Sequence, residues 1–392
     1  MNARERFLAL MNFQEVDRNF VWEFGYWGGT VRRWYQEGMP LVKGLSEKVY
    51  DGTGTFAEIT GVPLKRYTAH DVHDYFKMDP YLVRIPLNIG AYPAFEEKVI
   101  EDHGDWYIWQ DYDGCIRKDL KGRKTLPTIV GGPVKTREDW ERLKAERLRP
   151  TLEGRLPDNW QQLVTEYKNR DYPVGLGQLH GFFGTPRYLM GVEKLLTAYY
   201  DDPEMMKDMN LYLADLWIAL FERVLKEVAV DAVFIWEDMC YRGGPLISPE
   251  MFREFILPGY KKLTAFLRGY GVNIVLVDSD GDVWKLLPLW IEGGVTAVYP
   301  FEVAAGMDVV EVRKAYPKLG IQGGIDKRAL IQGKEAIDRE LEVKVPFMLE
   351  RGGYIPTIDH LASMDINLEN FKYYREKLNQ MIKKQARVWD RD

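Results

Sequence analysis

The chain has 392 residues, 46% of them hydrophobic, enough to bury a core in one large domain or two ordinary ones and too apolar for wholesale disorder. The formal net charge of -6, with no Lys/Arg cluster, argues against nucleic acid or an anionic membrane as the main partner. Two cysteines, Cys115 and Cys240, are too few for a disulfide framework and suit a reducing cytoplasm.

The opening MNARERFLALMNFQE predicts an amphipathic helix; its internal charges and lack of a cleavage site set it apart from a secretion signal. No run approaches about 18 uninterrupted apolar residues, so no transmembrane span is expected. FVWEF (20–24) reads as the first strand. The stretch of about residues 97–120 alternates and turns at Asp113-Gly114, which predicts an inserted antiparallel hairpin.

From residue 174 onward strands and helices alternate. VGLGQ (174–178), AVFIW (232–236), NIVLV (273–277), TAVYP (296–300), LGIQG (319–323) and GYIPT (353–357) are short apolar runs without polar alternation, as parallel strands covered on both faces require. Helices are expected after Thr185-Pro186, with Thr185 as N-cap, after Asp202-Pro203 and after Ser248-Pro249-Glu250. Others are expected near Asp282, near Met307, over about 334–350, and in the closing NLENFKYYREKLNQMIKK. The pattern predicts an α/β fold, a single TIM (β/α)8 barrel spanning 1–392 with N-terminal additions and the inserted hairpin. A doubly wound open sheet is the alternative, but no G-x-G-x-x-G follows any of these strands.

Barrel enzymes work at the C-terminal ends of their strands, so polar residues there are the candidates for chemistry. Glu237 and Asp278 directly follow two buried strands, where a carboxylate is costly unless it is paired or bound to metal. Both are candidate catalytic residues, together with His180 in GQLHGFFG. Glu237, Asp278, Asp280 and His360 form a mixed carboxylate and imidazole set that suits Zn²⁺, although no H-x-x-x-H or C-x-x-C spacing fixes it. Trp22, Phe24, Trp27, Trp236 and Tyr241 stand near strand ends and can wall a flat or apolar ligand. Blander roles exist: Asp282 and Asp326 as caps, Glu302 as partner of a rim arginine, His360 as a structural histidine, Cys240 as a small packed residue.

These segments carry a resemblance. RERFLALMNFQEVDR, GLGQLHGFFGTPRYLMG, ISPEMFREFILPGYKKL, GGIDKRAL and GGYIPTIDH followed by D and N resemble the uroporphyrinogen decarboxylase superfamily over nearly the whole chain, and that family's fold is a TIM barrel. Its decarboxylases grip their substrate with an N-terminal Arg-rich motif; here the corresponding FVWEFGYWGGTVRRW is aromatic where guanidinium groups are required. Its other branch comprises methyltransferases that work with corrinoid proteins. In the thiol-activating members zinc is held by His-x-Cys and a later Cys; Asp278-Ser279-Asp280 stands in the place of the first pair and Asp359-His360 near the later ligand, so every thiolate is missing. The resemblance therefore implies the substrate-side methyltransferase of an O-demethylase system, moving a methyl group from a small methoxylated aromatic to cob(I)alamin. The chain lacks the corrinoid signature D-x-H-x-x-G, since Phe76 replaces the glycine after Asp71-Val72-His73. The cobalamin must then arrive on a separate corrinoid-binding protein. Rival readings are a methylcorrinoid:thiol methyltransferase, a decarboxylase, and a barrel that only binds or scaffolds.

Overall fold

The computed structural model describes residues 1–47, 49–56, 70–122 and 126–389. Its centre is a sheet of seven parallel strands in strictly sequential order: β1 (Val83–Arg84), β2 (Val174–Leu179), β3 (Ala232–Trp236), β4 (Ile274–Asp278), β5 (Ala297–Tyr299), β6 (Gly320–Gln322) and β7 (Tyr354–Ile355). Helices intervene between successive strands from β2 onward, giving the TIM-type barrel arrangement. Alternate residues of each strand enter two different cores. Phe234, Leu276, Tyr299 and Ile355 point inward with Trp22, Phe24 and Tyr81, while Val233, Ile235, Val275, Val277 and Val298 face the helices. The helix Ala3–Met11 adds Phe7, Leu10 and Met11 to the inner core. It closes the bottom of the barrel, where the Met11 side chain lies against Gly320 at the start of β6.

The expected strand 20–24 is not part of the sheet, and β1 takes the place after it. Residues 20–27 nevertheless fill the gap between β1 and the chain beyond β7. Val21 O accepts from Asp79 N at 2.7 Å, and Tyr26 bridges Ala362 in parallel register. Carboxylates replace the missing ladder: Asp79 accepts from Val21 N at 2.8 Å, and Glu23 accepts from Ile358 N at 3.2 Å. Trp22 stacks on Tyr81 with ring centroids 3.9 Å apart. Two donors that a ladder would use, Val21 N and Ile358 N, are thus taken by side chains.

Where one hairpin is expected over about 97–120, there is a four-stranded antiparallel meander of Lys98–Asp102, Trp106–Gln110, Ile116–Leu120 and Thr128–Gly131. Thr185 is no N-cap: the helix is Gly184–Met190, and its leading N–H groups are capped from a distance, as described below. The helix expected near Asp282 begins at Leu287. Asp202 and Ser248 cap their helices as expected, accepting from Met205 N at 3.0 Å and Met251 N at 3.1 Å. Among the described residues no helix is long and apolar enough to cross a membrane, and both cysteines are free and buried.

Candidate functional site

Just beyond β4, β5 and β7, three side chains converge: Asp280, Glu302 and His360 place ligand atoms within 4.8 Å of one another. His360 Nε2 lies 3.3 Å from Asp280 Oδ2. Glu302 Oε2 accepts from Gly281 N at 2.9 Å, which fixes it beside the loop that carries Asp280. That loop requires glycine: at φ +82° a Cβ on Gly281 would stand 2.7 Å from the Tyr241 backbone. Burial opposes charge on His360, but the attraction and hydrogen bond of Asp280 outweigh it and raise the imidazole above its ordinary value. For Asp280 burial pushes upward, and the His360 charge more than reverses this. Glu302 is raised by burial and by Asp280. One imidazole and two carboxylates fit the kind of three-residue donor set that holds a catalytic Zn²⁺. The edge of Phe24 faces His360, with ring centroids 5.5 Å apart.

Glu302 thus belongs to the cluster, whereas its position after the strand suggests a partner for a rim arginine. Glu237 and Asp278, expected in the metal set, are not among the three residues that converge. Glu237 is completely buried, and its carboxylate accepts from Phe182 N at 2.8 Å, Phe183 N at 2.7 Å, Gly184 N at 3.2 Å and the Tyr260 hydroxyl at 2.6 Å. It therefore supplies the acceptors that the start of helix Gly184–Met190 lacks. Gly181, at φ +67°, makes room: a Cβ there would meet the Glu237 carboxyl at 2.2 Å. Desolvation raises the Glu237 carboxyl, and these four donors pull against it. Asp278 ends β4 in register with Trp236 and Tyr299, and its carbonyl accepts from Glu237 N at 2.9 Å.

The other expected residues are distributed around this frame. His180 stacks on Tyr188 at 4.4 Å and touches the Trp236 ring at 5.6 Å. Arg187 lies 4.7 Å over Trp236 and binds Asp238, with Nη2 to Oδ2 at 3.0 Å, so an arginine joins the mouth through an aromatic face. Trp22 is 1% exposed and belongs to the inner core, Trp27 is half-buried against that core, and Tyr241 stands 57% exposed on the rim. Burial pushes the Cys240 thiol up to about 12, which disfavours the thiolate a soft metal site would need. Asp359 clamps two loops through Val303 N at 2.9 Å and Lys327 N at 3.1 Å.

A family model described as uroporphyrinogen decarboxylase (URO-D) matches residues 119–381. A Streptomyces coelicolor protein named uroporphyrinogen decarboxylase is 24% identical over 261 residues, covering 63% of this chain and 67% of that protein. A Rhodococcus erythropolis protein of the same name is 28% identical over 228 residues; the match spans 54% of this chain and 58% of that relative's length. Among solved structures, the apo form of the E. coli 3-keto-D-glucoside 4-epimerase aligns at a TM-score of 0.30 and 13% identity, over 57% of this chain and 84% of that one.

Proposed function

The chain belongs to the uroporphyrinogen decarboxylase family, and on that premise we propose that it is a corrinoid-dependent methyltransferase, taking a methyl group from a small methoxylated aromatic to the cob(I)alamin of a separate corrinoid-binding protein. The observation that supports this reading is the Asp280, Glu302 and His360 cluster at the strand ends, which contains no thiolate. A site for activating a thiol would place a sulfur ligand there, whereas an ether oxygen calls for a hard or proton-donating site.

In the transfer the methyl carbon leaves the ether oxygen for cobalt(I), whose electron pair forms the new bond. The pair of the broken C–O bond stays on oxygen as a phenolate. A divalent ion held by Asp280, Glu302 and His360 would supply Lewis-acid stabilisation of that oxygen. Asp280 orients the His360 ring, Glu302 fixes the loop, and Phe24 gives the ring of the donor an apolar edge to rest against. Glu237 acts one layer further back, holding the helix start beneath Trp236 and Arg187. The free, buried cysteines support work in a reducing, cytoplasmic setting.

Decarboxylation is the second reading, favoured by the names of both relatives. One experiment separates them: absorbance-monitored methylation of cob(I)alamin across methoxyaromatic, methylamine and betaine donors, alongside CO₂ release from uroporphyrinogen. Methylation by methoxyaromatics alone supports the proposal. CO₂ release without methylation overturns it.

A further inference from the structure

A cavity of about 1170 Å³ lies between the inserted antiparallel sheet and the β1–β2 edge of the barrel. None of Asp280, Glu302 and His360 lines it. Its walls are mostly aliphatic and aromatic, among them Ile85, Leu87, Trp109, Leu156 and Trp217. Drug-sized ligand pockets occupy roughly 300–1,000 Å³, so this space exceeds what one small aromatic ring fills.

The charge on the wall runs against that of the protein. Arg84, Lys98, Arg117 and Arg155 line it beside Glu97, Asp111 and Asp113, four cations to three carboxylates in a chain of net charge -6, with the Arg84 guanidinium resting 4.2 Å over the Phe234 ring. Two of these cations are held rigidly. Arg117 Nε donates to Asp111 Oδ2 at 2.8 Å while its guanidinium lies 4.8 Å over the Tyr188 ring. Arg155, 3% exposed, spends its terminal nitrogens on the carbonyls of Asn88, Gly90, Arg147 and Arg149, so carbonyls rather than a carboxylate hold it. Its Nε has no hydrogen-bond partner, nor does the buried Nε1 of Trp109, which also lines the cavity. A built apolar space with fixed positive charge and donors in excess is the wall that an amphipathic anion requires.

We propose that this cavity is a second ligand site, separate from the cluster at the barrel mouth, and that it takes a largely apolar molecule carrying one anionic group. Burial and the neighbouring Asp111 push the Asp113 carboxyl up to about 7, so near neutral pH part of the opposing negative charge is absent. Trp236 links the two sites: the rings of His180 and Tyr188, on the cavity wall, each lie 5.6 Å from it, and Arg187 carries the contact on to Asp238. The inserted sheet is then the wall that shapes specificity, and the barrel supplies the floor.

Isothermal titration of the full chain with 4-phenylbenzoate and its uncharged amide tests this. The acid should bind at least about tenfold more tightly than the amide, as one charge-assisted hydrogen bond predicts. Arg117→Gln should erase that preference. Val99→Trp, at a lining position 59% exposed on the sheet, should weaken both ligands without disturbing the fold, as its thermal midpoint will verify. Asp280→Asn should leave both affinities unchanged. Equal binding of acid and amide, no heat with either, or indifference to both Arg117→Gln and Val99→Trp overturns the proposal. Loss of binding in Asp280→Asn also overturns it, by placing the ligand at the mouth. None of these readings depends on methyl transfer, so the assay fails or succeeds apart from the proposed activity.

Discussion

Replacing Glu237 should cost folding stability before it costs chemistry. Its carboxylate satisfies three backbone N–H groups and the Tyr260 hydroxyl at 2.6–3.2 Å, all in a completely buried site. A buried donor left unmade costs about 1–3 kcal/mol. Glu237→Ala strands four of them, and removing the buried charge returns part of that, so the net loss should be on the order of 4 kcal/mol, a large share of a typical stability of about 5–15 kcal/mol. Glu237→Gln keeps the shape and one acceptor oxygen. Turned so that this oxygen serves Phe183 and Gly184, its amide faces Phe182 N, while the Tyr260 hydroxyl can rotate to accept. One N–H is lost, at about 1–3 kcal/mol. Guanidinium unfolding followed by circular dichroism should rank wild type, glutamine and alanine in that order, with methyl transfer by folded Glu237→Gln close to wild type. The reasoning is refuted if Glu237→Gln keeps its unfolding midpoint and loses turnover by about 10²–10³, the loss expected when an electrostatic catalyst is removed.

Elemental analysis should find about one Zn²⁺ per chain, falling in Asp280→Asn, Glu302→Gln and His360→Ala, as one open four-coordinate site predicts; a stoichiometry near zero with activity intact in chelator removes the metal from the proposal. Arg375→Met leaves Glu23 buried without the cation that stands 2.7 Å away and should cost about 3–5 kcal/mol, whereas Lys334→Ala at an exposed pair should barely move the unfolding midpoint. Equal unfolding midpoints for those two variants would contradict the ranking. Asp113 supplies a pH test. Its folded pKa, about 7, exceeds the ordinary value near 3.9, so the unfolded chain releases this proton first as pH rises. Stability should therefore fall between about pH 4 and pH 7 by an amount bounded near 4 kcal/mol and reduced by water in the cavity, and Asp113→Asn should flatten that slope. A slope unchanged by the substitution would mean that the carboxyl is solvated.

The six strands from β2 to β7 were legible because each is a run of β-branched and apolar residues covered on both faces, and such runs need no distant partner to be recognised. β1 was not: Val83–Arg84 is two residues long and holds a charge that rests over Phe234 at 4.2 Å. Segment 20–24 carries the composition of a strand, but Asp79 and Glu23 occupy backbone donors that a ladder would use, and those partners lie far along the chain. In the site, position after a strand singles out Asp280 and His360. The same signal applied equally to Glu237 and Glu302. Sequence order carries no hint that Gly181 opens a space for one and that Gly281 seats the other. The cavity was invisible for a related reason, since its walls come from a meander whose folding over the barrel is a tertiary matter.

The seam that residues 20–27 close has a consequence for how the chain can be made. Glu23, near the beginning, meets Arg375 across 352 positions, and Tyr374 beside it. During synthesis this carboxylate must wait for almost the entire chain before its counter-charge emerges, so it stays hydrated at an unsealed edge until then. The barrel should accordingly close late and as a whole, with the last helix acting as the latch, and a chain that ends before Arg375 should hold its inner aromatic core exposed to water and to other chains.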